Sequence, residues 1–541
     1  MTQFVHASTR RPRAFPRLIC YAFALSAVTA PGLAAVDFVR SAINLPASTT
    51  AFEYSYDLDG DNRKDVIAVY QRRIMIFFQD NKDSFASAPD IEIGSEEPIP
   101  STYAQVTVGK VSADPGDQIL LIGPEGVDYL TVSQLKGKPS QPVEPHPLIV
   151  KKLTLTPGPS LDFSNAAADI DGDGKTDLIL PAGDHFEMYS ADADQKFTLR
   201  AKIPVNLKTE QTTKLATEPS VLGTSIFNRN STGLVQTLPT TDQWHGVEYA
   251  VNTAGLPLLF TDFDLDHRMD VIEPARVLFQ QSPSHFTPVE SKVQSQIYFA
   301  RVPDENRNVM VDQPNLTDFN HDGILDTFRV EVTAAKLNPR TDFSVSIGQR
   351  DRTFPSAPTM VLRTKDFAYT DAIPMGDVNG DGFMDIALFH LDFQVSSPNS
   401  QLKAYLRNGV EGDLRFYLWD PQRSRFPESA DFTFPVMVNY EIYGARQFFR
   451  QQLIMNQDMT GDGLADLVLK TGPQQFSVFA NTGPEKVGFS TKAVAVVATN
   501  PTKFSSIEVA DLNADKRGDV VISGYVEGQD DRIIYSLFLS K

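Results

Sequence analysis

A nine-residue pattern, Asp-x-[Asp/Asn/Thr]-x-Asp-x-x-x-Asp, recurs seven times along the 541-residue chain and constrains its fold more than any other feature. Copies begin at Asp57, Asp169, Asp262, Asp318, Asp377, Asp458 and Asp511. A worn eighth begins at Lys110, reading KVSADPGDQ; it keeps Asp114 but has Lys110 and Ser112 where acids belong. In chain order these are loops 1 to 8, the worn copy being loop 2. Each is followed by a short apolar run of strand character, such as Val66-Ile67-Ala68-Val69 or Leu178-Ile179-Leu180. Successive copies start 53 to 59 residues apart, apart from intervals of 93 and 81 after loops 3 and 6. Self-similarity at a fixed period marks stacked supersecondary units that bury a core only together.

Within a unit the signals are short β-runs separated by Gly, Pro, Asn and Asp, with little helical periodicity. Runs at Arg73 to Phe78, Ile297 to Ala300 and Phe476 to Phe479 read as strands. Four short strands in about 56 residues, repeated eight times, predict an all-β chain: a closed β-propeller of about eight four-stranded blades. Residues 35–56 and 511–541 each supply part of one unit, so the last blade is expected to draw strands from both ends of the chain. An open solenoid would instead want polar caps at its ends. The two long intervals predict insertions near 200–255 and 405–452 in a propeller spanning 35–541.

Oxygen side chains at alternate positions of a tight loop converge on a point, and carboxylates there suit a hard cation. Calcium takes roughly six to eight oxygens, of which positions 1, 3, 5 and 9 would supply four and the carbonyl of position 7 a fifth. The expected ligands are Asp57, Asp59, Asp61 and Asp65 in loop 1, and Asp169, Asp171, Asp173 and Asp177 in loop 3. Loop 4 offers Asp262, Asp264, Asp266 and Asp270, and loop 5 offers Asp318, Asn320, Asp322 and Asp326. Loop 6 offers Asp377, Asn379, Asp381 and Asp385; loop 7 offers Asp458, Thr460, Asp462 and Asp466; loop 8 offers Asp511, Asn513, Asp515 and Asp519. About seven structural calcium ions are therefore expected. Position 6 is Gly174, Gly323, Gly382 and Gly463 in four copies, where the turn wants a left-handed residue. A helix-loop-helix calcium hand would need Glu at position 12, which is Ala68, Leu180, Glu273, Arg329, Leu388, Leu469 and Ile522. The flanks are strands, and that alternative fails.

Residues 1–34 are built differently. Arg10, Arg11, Arg13 and Arg17 precede the apolar run Leu18 to Thr29 and the small residues before Ala35. This is the layout of a cleaved secretory signal, and its apolar run is short for a span of about 20 residues. Export to the periplasm, cell surface or medium is expected, with a mature chain that does not span a membrane. Cys20 is the chain's one cysteine, so no disulfide framework or cysteine zinc site exists. The net charge of −19 excludes a nucleic-acid partner, because phosphate contacts need a basic surface. That acidity is concentrated in the loops.

The loops GDVNGDGFMDIALF and ADIDGDGKTDLILP resemble FG-GAP or VCBS repeats and are similar to the calcium-bearing propeller blades of integrin α-subunits. The resemblance extends over nearly all of 35–541, with the acidic loop as its specific part. Most such propellers have seven blades. It implies an extracellular binding or adhesion module, and some polysaccharide lyases and lectins carry similar loops. With the loops structural, a protein or glycan ligand would be held by the insertions, through Trp244 and His245 in the first and Arg415, Tyr417, Trp419 and Arg423 in the second. No HExxH, GxSxG or phosphate-cradling motif occurs, and an enzyme is the less favoured reading. A lyase-like enzyme or a structural subunit of a surface assembly remain the alternatives. Arg517-Gly518-Asp519 spells an adhesion tripeptide, but Asp519 is position 9 of loop 8 and is expected to face inward.

Overall fold

The computed structural model describes residues 36–133, 144–183, 185–192, 195–204, 249–253, 256–262, 264–273, 276–289, 309–311, 315–333, 340–350, 353–355, 357–363, 375–391, 398–407, 409–443, 446–450, 453–472, 474–499, 506–526 and 529–541. The expected signal, Trp244, His245 and the expected strand at Ile297 to Ala300 lie outside them. The described chain is all-β, with one α-helix at Pro398–Arg407 and a short 3-10 turn at Pro484–Lys486. No helix among the described residues is long and apolar enough to cross a membrane.

Among the described residues, eight sheets of four or five strands follow one another, each built around one of the eight loops. In every case position 9 is the first residue of the strand that leaves the loop: Asp65, Gln118, Asp177, Asp270, Asp326, Asp385, Asp466 and Asp519. Sheet 1 is Thr49–Tyr56, Asp65–Tyr70, Arg73–Phe77 and Ile91–Ile93, in that order. Sheet 8 consists of Ser506–Ala510, Asp519–Val526 and Gln529–Ser540, closed on its outer side by the N-terminal strand Phe38–Pro46. That last pairing is antiparallel, from Phe38 opposite Ser540 to Pro46 opposite Arg532. The two ends of the chain thus share one sheet, as expected from the length of the terminal segments.

Strand sequences that are apolar on both faces are explained by what lies on either side. Side chains alternate along a strand, so neighbours in sequence face opposite ways. Val66 and Ala68 pack in one cluster with Leu512, Val521, Leu537 and Leu539 of sheet 8. Ile67 and Val69 turn the other way, to Val106, Val108, Ile119 and Leu121 of sheet 2. Leu120 and Ile122 then join Leu178 and Leu180 of sheet 3, whose Ile179 meets Val271 and Leu278 of sheet 4. Further along, Ile386 and Leu388 of sheet 6 meet Phe328 and Phe343 of sheet 5, while Ala387 and Phe389 meet Leu467 and Leu469 of sheet 7. Val468 continues to Val520 and Ile522 of sheet 8. Sheets 1, 2, 3, 6, 7 and 8 are thus each sandwiched between two neighbours, and sheet 8 packs on sheet 1.

The residues between 405 and 452 belong largely to sheet 6 itself. Gly409–Tyr417 pairs with the long strand Phe432–Tyr443, which in turn pairs with Arg446–Arg450. The added length of this unit goes into that fifth strand, the hairpin loop 418–431 and the helix Pro398–Arg407 that precedes it. Sheets 2, 4 and 5 also carry a fifth strand where four were expected.

Candidate metal centres

The first aspartate builds each loop. The Asp57 Oδ1 accepts from the backbone N–H of Gly60 (2.6 Å) and Asp61 (3.1 Å), and its Oδ2 from Asn62 (2.8 Å). The bond from position 6 recurs in every intact loop: Gly174 to Asp169, His267 to Asp262, Gly323 to Asp318, Gly382 to Asp377, Gly463 to Asp458 and Lys516 to Asp511, all within 2.7–3.0 Å. Position 5 caps the turn in its own way, as where Asp381 Oδ1 accepts from Phe383 N–H at 2.9 Å. A chain wrapped this tightly around one carboxylate must turn left-handed. Position 6 does so as expected, including the non-glycine residues Asn62 (φ 66°), His267 (69°) and Lys516 (70°). Position 4 does so too, with Leu265, His321 and Ala514 at φ 54–60°, and the sequence reading missed it because only four of the seven copies have glycine there.

Position 9 has a second role, which the sequence reading did not assign. Asp385 is fully buried; its Oδ2 accepts from Val378 N–H (2.9 Å) at the start of its loop, and its Oδ1 from Trp419 N–H (2.9 Å) beyond the third strand of the sheet. Asp65, Asp326, Asp466 and Asp519 repeat this two-sided pin, the last with Leu512 and Ser540 at 2.7 Å each. Burial pushes the Asp385 and Asp326 carboxyls up to about 8 and those of Asp65 and Asp519 to about 7; the other loop carboxylates add to the rise, and the backbone donors oppose it. Asp519 is wholly buried, so the Arg517-Gly518-Asp519 tripeptide is not presented as a ligand.

In three loops the acidic oxygens gather closely enough to hold one ion. Asp57, Asp59 and Asp61 each place an oxygen within 4.8 Å of the others, as do Asp169, Asp171 and Asp177, and Asp262, Asp264 and Asp270. All donors are oxygen, which fits calcium or magnesium and not a soft metal. Loops 5 to 8 have Asn320, Asn379, Thr460 and Asn513 at position 3, leaving three carboxylates each. Arg63 and Arg268, at position 7 of loops 1 and 4, reach back to the Oδ2 of Asp61 and Asp266 and supply part of the positive charge there.

The loops also touch each other. The N–H of position 8 donates to a carbonyl at position 1 or 2 of a neighbouring loop in four places: Lys64 to Leu512 (2.9 Å), Asp117 to Asp57 (2.6 Å), Met269 to Ile170 (2.9 Å) and Gly518 to Asp458 (2.8 Å). Asn481 Nδ2 bonds the Val378 carbonyl (2.9 Å), and the His321 ring stacks on Phe383 with centroids 4.7 Å apart. The acidic loops therefore line up at one end of consecutive sheets.

The expected ligand-binding residues of the second insertion separate. Trp419 is buried against Phe319 and Phe426, with centroids 5.8 and 5.0 Å away, and Tyr417 is buried in the same cluster. Both are packing residues: the bond from Trp419 N–H to Asp385 draws that segment into the core. Arg415 is half-buried on a strand, whereas Arg423 is exposed on the hairpin turn beside Asp420.

The profile of the FG-GAP-like repeat matches residues 458–522, which hold loops 7 and 8. The chain carries an FG-GAP-like repeat. No curated protein matches it. Solved structures that align with it include the Vibrio cholerae biofilm matrix protein Bap1, at 10% identity and TM-score 0.29, covering 94% of this chain and 89% of that one. The Saccharomyces cerevisiae core factor aligns at 8% identity and TM-score 0.34, covering 95% and 62%. The Photorhabdus luminescens Tc holotoxin pore aligns at 12% identity and TM-score 0.26, covering 91% of this chain and 19% of that one. At these values the superpositions do not define a shared fold.

Proposed function

We propose that the eight sheets close into a β-propeller, stapled at one end by calcium, that works outside the cytoplasm as a binding module of the integrin α-subunit type. The observation that carries this reading is the alignment of the acidic loops: each closes on its own carboxylates, and several are hydrogen-bonded to the loop before. The sheet shared by both chain ends supports closure, because it lets sheet 8 face sheet 1 without a free edge between them. The ion would be held in loop 1 by Asp57, Asp59 and Asp61, in loop 3 by Asp169, Asp171 and Asp177, and in loop 4 by Asp262, Asp264 and Asp270. Loops 5 to 8 would use their carboxylates with Asn320, Asn379, Thr460 or Asn513. Bound calcium supplies charge that relieves the repulsion of the converging carboxylates.

Export rests on the arginine-led apolar start of the chain. The ligand surface is assigned to the additions of sheet 6, where the helix Pro398–Arg407 presents Leu402, Tyr405 and Leu406, all more than half exposed. Apolar and aromatic side chains on a rigid support suit a protein partner. Two measurements test the reading. Chelation should lower the melting temperature markedly, and an unchanged melt in excess chelator removes the calcium staple. A Leu402→Asp/Leu406→Asp variant should keep that melt and its calcium response while losing a partner that the parent chain captures from extracellular extract. Retained capture removes the helix as the binding surface, and saturable binding on a glycan array would make the ligand a sugar.

A further inference from the structure

Loop 2 departs from the other seven at four positions at once, Lys110, Ser112, Pro115 and Gln118, and the structure shows that the changes belong together. In the intact loops position 6 is left-handed and its N–H donates to the carboxylate of position 1. Loop 2 has Pro115 there, which has no N–H and cannot take a positive φ. The left-handed turn moves on to Gly116, at φ 73°. A carboxylate at position 1 would therefore lack that donor, and position 1 is Lys110. Its ammonium points the opposite polarity into the loop, donating to the carbonyls of Asp114 and Gly116, the latter at 2.7 Å.

Position 9 changes to match. The buried Gln118 accepts on its Oε1 from Val111 N–H (2.9 Å) and Ser112 N–H (3.0 Å), as the aspartates do elsewhere. Its Nε2 also donates to the Gly116 carbonyl at 2.8 Å, which no aspartate can do. Asp114 Oδ2 is bonded by Ser112 Oγ and Thr131 Oγ1, at 3.2 and 3.1 Å. The Gly116 carbonyl and the side chains of Ser112 and Asp114, which an ion would otherwise organise, thus each have a partner from the chain. The loop still makes the contacts of its siblings. Asp117 exchanges bonds with the Asp57 backbone of loop 1, and Lys110 N–H meets Thr176 Oγ1 of loop 3 at 3.2 Å.

We propose that loop 2 is a metal-independent copy, in which the Lys110 ammonium and the Gln118 amide do the work of cation and carboxylates. It stays formed when the ions leave, and it holds loops 1 and 3 at their junctions. The inference rests on the calcium reading for the other seven loops, and hydrogen exchange on the full-length chain separates the two. On moving from excess calcium to excess chelator, peptides across 110–118 should change by less than about twofold, while the seven acidic loops should exchange about tenfold faster or more. Equal loss at all eight loops overturns the inference. Loss at none removes the calcium reading instead, and Lys110→Met then decides for loop 2 by itself. That variant should raise exchange at 110–118 in both conditions, and Lys110→Arg should restore protection. Unchanged exchange in Lys110→Met, with the parent's protection, overturns the role of the lysine.

Discussion

At Asp385 one carboxylate joins the start of a loop to the far end of a hairpin, and removing it leaves two buried N–H groups without an acceptor. Each such group costs about 1–3 kcal/mol, so Asp385→Leu should lose roughly 3 kcal/mol or more in urea unfolding. Asp385→Asn keeps one acceptor and should lose about half as much. Glu187 makes a different case. It is buried on Lys151, Tyr189 (2.8 Å) and His185 (3.3 Å). Burial pushes its carboxyl up, but the hydrogen bonds of Lys151, Tyr189 and His185 outweigh that and hold it below its ordinary 4.5. Its contribution to stability is therefore present above that value and is lost as the pH falls through the lower folded one. Glu187→Gln should flatten the acid side of the stability curve, and an unaltered curve would show that the cluster adds nothing. The pairing of Asp385 with Trp419 was not legible in the sequence, since the two lie 34 residues apart with no local signal joining them.

Within one loop, far more could be read beforehand. The left-handed position 6 and the wrapping of the turn around the first carboxylate arise from bonds spanning five residues or fewer, so they are written locally. Position 4 escaped because Leu265, His321 and Ala514 conceal a left-handed turn that glycine marks in the other copies. Two glycines of loop 3 separate backbone strain from crowding. Gly174 sits at φ 80° with nothing near a would-be Cβ, whereas a Cβ at Gly172, φ 75°, would run into the His267 carbonyl of loop 4. Gly174→Ala should cost about 1–2 kcal/mol, the left-handed penalty alone. Gly172→Ala should cost more and should loosen loop 4 as well, visible as faster exchange at 264–270. Equal effects would mean that the two loops are not coupled there. The aromatic residues of the second insertion suggest a ligand surface, yet Tyr417 and Trp419 are core, because composition reports what a segment contains and not which way it faces.

Across the molecule, the pairing of the N-terminal strand with Gln529–Ser540 is the contact on which the arrangement depends. Deleting residues through Pro46 would bare that edge and remove the buried Ile43 and Leu45 from the cluster shared with sheet 1. At about 1.5–3 kcal/mol per buried aliphatic side chain, the loss should be on the order of 5 kcal/mol with the ladder included. The truncated chain should melt at lower temperature and be cut early near its C-terminus by added protease. A parent-like melt would show that sheet 8 stands without the N-terminal strand.

By itself the sequence determined the repeated acidic loops, their oxygen donors, the strands that leave them and the sharing of one unit between the chain ends. The loop features follow from short-range bonding, and the shared unit from the repeat period. Only the tertiary structure decided that position 9 pins two strands, that position 8 of one loop bonds the loop before, and that Trp419 is buried. The same holds for loop 2, where Lys110 and Gln118 replace what carboxylates do elsewhere. Such contacts depend on which sheets stack face to face, as when Tyr54 Oη meets Glu508 at 2.5 Å across 454 residues of chain. No local pattern encodes that distance, because stacking order is set by the burial of sheet faces against one another and not by contacts within one unit.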